Sequence, residues 1–199
     1  ADAAAVLRWR GHPTDPDGAP LYPGLSKWMP DDEVTRRKAA GEPFALRIDM
    51  QRAVTVAHET TGEAAITYTA LAPDGAPRQV IAHPERWGDA VIVRKEVPTS
   101  YHLAVVVDDA CQGITHVTRG LDLEAATDLH RLLQILLGLP APKYHHHRLL
   151  LERDGRKFSK SANSASLRAL RENGATRDDV LEMIGPVVGP SIGPVAQPD

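Results

Sequence analysis

Cysteine is almost missing. Cys111 is the only one in 199 residues, which excludes an intrachain disulfide and any zinc site built on several thiolates. Long hydrophobic runs are missing as well. Stretches such as Leu103 to Val107 are far too short to span a bilayer as a helix, so no membrane partner is expected. There is no excess of positive charge: Lys plus Arg is 23 against 26 for Asp plus Glu, a net charge of -3. That balance excludes a generic nucleic-acid binder held by bulk charge, though a local basic patch remains compatible with it. The first ten residues, Ala1 to Arg10, lack the basic start, apolar stretch and cleavage site of a secretory leader. A reducing, cytoplasmic setting is therefore expected. What is present is ordinary for a globular chain, with 42% hydrophobic and 25% charged residues. A chain of this size buries about 70% of its surface on folding.

Residues 1 to 50 read as mostly irregular. Turn chemistry runs from His12 to Gly18, a polar helix covers Asp31 to Ala40, and a short strand covers Phe44 to Asp49. The following fifty residues offer possible strands at Ala65 to Leu71 and Asp89 to Arg94. The second half is more sharply patterned. Leu103 to Val107 is a continuous apolar run with three valines, which suits a strand buried on both faces. A turn over Asp108 to Gly113 and a strand over Ile114 to Thr118 follow. Residues 123 to 137 carry Leu129, Leu132, Leu133 and Leu136 at helical spacing, with Asp122 placed to cap the start and Gly138 the end. His147 to Leu151 reads as a third strand. A basic loop spans residues 153 to 163, a helix follows from about Ser166 to Asn173, and Thr176 with Asp179 has capping-box spacing for a last short helix. The tail from Pro186, rich in Pro and Gly, is expected to be disordered. Strand, helix, strand and then a loop feeding a helix is half of a doubly wound α/β domain. Ligands in such domains bind at the carboxyl ends of the strands.

The densest chemistry lies in Arg156-Lys157-Phe158-Ser159-Lys160-Ser161. Two lysines three residues apart, with small hydroxyl residues between them, suit a loop that closes on a polyphosphate. This stretch resembles the Lys-Met-Ser-Lys-Ser signature loop of class I aminoacyl-tRNA synthetases, with Phe158 in place of Met. The likeness extends backward. Tyr101 to Asp109, Gly113 to Gly120, and Leu136 to Pro140 leading to Tyr144-His145-His146 resemble the glutamyl-tRNA synthetase group. It is specific over residues 88 to 185 and looser over 1 to 87. Within that group the run His145 to Leu151 is similar to the glutamyl-Q tRNA(Asp) synthetase family, paralogues without an anticodon-binding domain.

The resemblance implies an α/β fold: the C-terminal portion of a Rossmann-like catalytic domain with an inserted α+β subdomain and a short helical end. It divides the chain into an inserted subdomain at 1–87, the second catalytic half at 88–163, a helical segment at 164–185 and a tail at 186–199. It implies ATP-dependent activation of L-glutamate and transfer of the glutamyl group to the queuosine base of tRNA(Asp); the sequence leaves the oligomeric state open, with a monomer as the expectation. Tyr101 and Arg119 fall where the family contacts glutamate. Lys160 falls on the loop lysine that contacts ATP, with Lys157 as a helper. Ser159 and His146 are further ATP-site candidates. Asp108-Asp109 reads as a strand-ending turn, and His145, His146 and His147 are consecutive in a strand, so they point to alternating faces and do not chelate together.

Two family features are absent. The zinc-binding pattern would match residues 8 to 26, but Ser26 stands where a cysteine is expected and no Cys-x-Cys precedes it, so zinc is not expected. The His-Ile/Leu-Gly-His motif of the first catalytic half has no counterpart either, and the chain starts at Ala1. The expectation is a portion of a longer enzyme or a degenerate relative that does not form adenylate by itself. A portion of an ordinary glutamyl-tRNA synthetase, or a non-catalytic tRNA- or nucleotide-binding remnant, are the alternatives.

Overall fold

The computed structural model describes residues 11–150 and 166–185. In chain order its elements are helix α1 (Asp31–Ala39), β1 (Leu46–Arg47), α2 (Met50–Thr61), β2 (Thr67–Leu71), β3 (Pro77–Ile81), β4 (Val91–Val93), α3 (Tyr101–Cys111), β5 (His116–Gly120), α4 (Ala126–Leu137), β6 (Lys143–His147), α5 (Leu167–Glu172) and α6 (Arg177–Ile184). The main sheet has the order β3-β2-β6-β5. β2 and β3 form an antiparallel hairpin, while β6 runs parallel to both β2 and β5. β1 and β4 form a separate antiparallel pair. The β5–α4–β6 segment is thus the strand–helix–strand unit expected from the sequence, with the helix as the crossover that a parallel pair requires.

α4 is the centre of the core. Leu129 and Leu132 are fully buried, and Leu133 and Ile135 nearly so. They pack in one cluster with Met50, Ala53 and Ala57 of α2, Val106 of α3, and Tyr68, Ala70 and Tyr144 of the sheet. Gly138 closes α4 at φ 64°, a left-handed conformation that glycine adopts without steric cost. Replacing Leu132 with alanine leaves a cavity beneath this helix, and urea titration should show a loss of about 3 kcal/mol. The 71% exposed Leu167 is the control, with a change below about 0.5 kcal/mol on the same substitution.

The structure corrects several local expectations. Leu103 to Val107 is not a strand, and Asp108 to Cys111 is not a turn; both lie inside α3. A short apolar run does not by itself distinguish a buried strand from a buried helix. Here Ser100 decides, because its side chain accepts a hydrogen bond from the Leu103 N–H and caps a helix start. α2 occupies residues to which no element was assigned from the sequence. Asp49 caps it, Gly62 ends it, and Met50, Ala53 and Ala57 face inward at helical spacing. Asp122 does not cap α4, which begins later, after a 3-10 turn over Leu121–Leu123. The third strand lies earlier than expected, at Lys143–His147. The Thr176–Asp179 capping box is present, with both reciprocal hydrogen bonds. The basic loop at 153–163 and the tail from Pro186 lie outside the described residues.

Candidate active site

Arg119 sits near the carboxyl end of β5, directly opposite His146 on β6. Paired residues on adjacent strands project to the same face, so both side chains point toward α4. That helix presents Thr127 and His130, three residues apart and therefore on one side of it. One Nη of Arg119 donates to Thr127 Oγ1 at 3.0 Å and the other to His130 Nδ1 at 3.2 Å. The guanidinium also lies over the Tyr144 ring, 5.1 Å from its centroid, a cation–π arrangement. On the far side of His130, its Nε2 is 3.1 Å from His102 Nδ1. The Tyr101 ring meets the His130 ring edge-to-face at 5.7 Å. Thr127 Oγ1 is in turn 3.0 Å from His146 Nε2.

The electrostatics of this cluster are unusual. Arg119 is only 9% exposed, yet its partners are a hydroxyl, an imidazole and an aromatic face, with no carboxylate paired to it among the described residues. Its Nε has no hydrogen-bond partner. A buried cation without a counter-ion is costly unless something anionic completes it. The surrounding imidazoles do not share the charge. Burial, followed by the Arg119 and His102 charges, pushes His130 down to about 2. Burial and then Arg119 push His146 down to about 4. Burial also lowers His102, against an opposing effect of Asp17 and Asp15. Arg119 is thus one fixed positive charge among neutral rings. That arrangement suits bidentate capture of a carboxylate.

Tyr101 is half exposed and opens α3 as its first residue; it does not start a strand. With His102 it borders a cleft of about 330 Å³ shared with Asp15, Tyr22, Arg47 and Arg94. The three sequence-expected residues Tyr101, Arg119 and His146 therefore gather around Thr127 and His130. His145, one position along the strand, instead has its Nδ1 3.2 Å from the Leu71 carbonyl, so the three consecutive histidines do diverge. Lys157, Ser159 and Lys160 lie outside the described residues. Thr127, His130 and His102 were not singled out from the sequence. The available signal was polar side chains on the buried stripe of an amphipathic helix.

The zinc-like segment is tied differently. Tyr22 Oη donates to Ser26 Oγ at 2.7 Å and accepts from the Ser26 N–H at 2.6 Å. Neutral hydroxyls with no thiolate beside them do not make a zinc donor set. Among the described residues no helix is long and apolar enough to cross a membrane.

A parallel β–α–β unit with a buried arginine at the strand ends defines an α/β ligand-binding domain of Rossmann-like build. The family model described as tRNA synthetases class I (E and Q), catalytic domain, matches residues 19–187, and the chain belongs to that family. It is 42% identical over 185 residues to a glutamyl-Q tRNA(Asp) synthetase of Rhodobacter capsulatus, covering 92% of this chain and 63% of that protein. It is 35% identical to a glutamate–tRNA ligase of Aquifex aeolicus, covering 77% of this chain and 29% of that protein. The chain thus spans less than two thirds of either relative. In fold it is similar to the glutamate-tRNA synthetase of Elizabethkingia anophelis, with a TM-score of 0.51, 24% identity, and coverage of 78% of this chain and 28% of that one.

Proposed function

We propose that this chain is part of a cytoplasmic glutamyl-Q tRNA(Asp) synthetase, a ligase that activates L-glutamate with ATP and passes the glutamyl group to the queuosine base of tRNA(Asp). The observation that carries the reading is Arg119, a buried guanidinium with a free Nε and no carboxylate partner among the described residues. It receives a substrate carboxylate through its planar fork. Tyr101 supplies a hydroxyl at the rim. His146 borders the nucleotide side, and Lys157, Ser159 and Lys160 serve the ATP phosphates. In the activation step a glutamate carboxylate oxygen attacks the α-phosphorus of ATP and pyrophosphate departs. Lys160 stabilises the charge that develops on the leaving group. The name carried by the Rhodobacter capsulatus relative supports the choice of tRNA(Asp).

The test is glutamate transfer by the full-length protein to queuosine-containing tRNA(Asp) whose 3′ end has been oxidised with periodate. Transfer that survives the oxidation is expected. Transfer abolished by it identifies an ordinary glutamyl-tRNA synthetase, and ATP-independent tRNA binding with no transfer to either substrate identifies a binding remnant.

A further inference from the structure

We propose that His130 is a positioning residue for the substrate site: its neutral ring accepts a hydrogen bond from Arg119 at Nδ1, donates one from Nε2 to His102, and so fixes the guanidinium beside Tyr101. The inference rests on the glutamate-site reading above and extends it to a residue that touches no substrate. The proton assignment follows from the contacts. A guanidinium has donors only, so His130 Nδ1, 3.2 Å from an Arg119 Nη, is the bare nitrogen. A neutral ring then carries its proton on Nε2, which faces His102 Nδ1 at 3.1 Å. His102 Nδ1 is accordingly the acceptor, and its own proton lies on Nε2. The chain Arg119 to His130 to His102 runs in one direction, with each member able to play one role only.

His130 is 1% exposed and touches both residues assigned to glutamate, Arg119 through Nδ1 and Tyr101 through its ring edge. No other described residue makes both contacts. The groups facing this cluster are Arg119 on β5, Tyr101 and His102 on α3, and Tyr144 and His146 on β6. Asp128 on α4 itself is held by Arg86 at 2.5 Å. Asp15 and Asp17 act on His102 from the cleft side, and Asp109 of α3 feels the Arg119 charge. No carboxylate hydrogen-bonds to His130 among the described residues, so nothing there rewards its protonation. A proton on Nδ1 would place two cations face to face.

Glutamine reproduces the required pattern, with an amide oxygen to accept from Arg119 and an amide N–H to donate to His102. Leucine keeps the volume and loses both. In the full-length protein His130→Leu should raise the dissociation constant for L-glutamate about tenfold, the scale of one hydrogen bond to a charged group. ATP affinity should stay unchanged, and His130→Gln should stay within about threefold of the wild type. Nitrogen-15 NMR of labelled histidine should find His130 neutral and protonated on Nε2 from pH 8 to pH 5. The linkage has a definite sign: the depressed folded value means stability is complete above about pH 6.5 and declines as acid protonates the unfolded chain. Between pH 7 and 5 the wild-type folding constant should therefore fall about 25-fold more than that of His130→Gln.

A proton on Nδ1, or a charged ring at pH 5, overturns the relay, and so does wild-type glutamate affinity in His130→Leu. If Arg119→Ala binds glutamate as the wild type does, the glutamate-site reading itself falls, whatever His130 does.

Discussion

Arg119→Ala will raise the dissociation constant for L-glutamate by about a hundredfold, measured by calorimetry on the full-length protein, and leave ATP affinity within about twofold. The size follows from losing two charge-assisted hydrogen bonds to a carboxylate, about 2.7 kcal/mol together. Selectivity between the two ligands is the informative part. Arg119 hydrogen-bonds Thr127 and His130 and lies over Tyr144, so an indirect structural effect would weaken both ligands. Arg119→Lys separates charge from geometry. Lysine keeps the positive charge but lacks the planar fork, and about tenfold of the loss should remain. Unchanged glutamate affinity in the alanine variant removes Arg119 from the site. Equal weakening of glutamate and ATP makes its role structural.

The second large effect concerns the signature loop. Lys160→Ala will slow glutamate-dependent ATP–pyrophosphate exchange by a factor on the order of a hundred, the scale for removing one preorganised charge from a developing anion. Glutamate affinity should not change, because the glutamate site is assigned to Arg119 and Tyr101. A normal exchange rate would exclude Lys160 from the reaction. A lowered rate accompanied by weakened glutamate binding would show that the loop orders the amino-acid site rather than serving the phosphates. Lys157→Ala, the helper, is the companion measurement, with a smaller loss.

What the sequence determined by itself is local or carried in a contiguous motif. The four leucines from Leu129 to Leu136 define α4 because their spacing matches the helical repeat, and the only error was its start, where Leu121–Leu123 forms a 3-10 turn. The last helix and its capping box were legible because Thr176 and Asp179 interact across three residues. β5 and α4 emerged in order because each announces its period within its own segment, whereas β6 lies at Lys143–His147, ahead of the strand expected at His147 to Leu151. The family was legible for a related reason: Lys157 to Ser161 and the stretches before it are unbroken strings of residues.

Tertiary structure decided the rest. α3 holds three consecutive valines, whose β-branching favours strands. It is helical because Ser100 caps it and Val106 is buried in the cluster that includes α4, a burial that no property of the run itself announces. α2 was hidden in the same way, since its inward residues include Ala53 and Ala57, small side chains that give a weak hydrophobic signal. The site shows the limit most clearly. Arg119 and His130 are 11 residues apart and His102 and His130 are 28 apart, so no local pattern pairs them. The sequence could mark Arg119 and Tyr101 as candidates. Only the packing of α4 across β5 and β6, with α3 alongside, buries the guanidinium among neutral rings and leaves it without a carboxylate among the described residues, because a side chain's charge partners are chosen by the surfaces that meet.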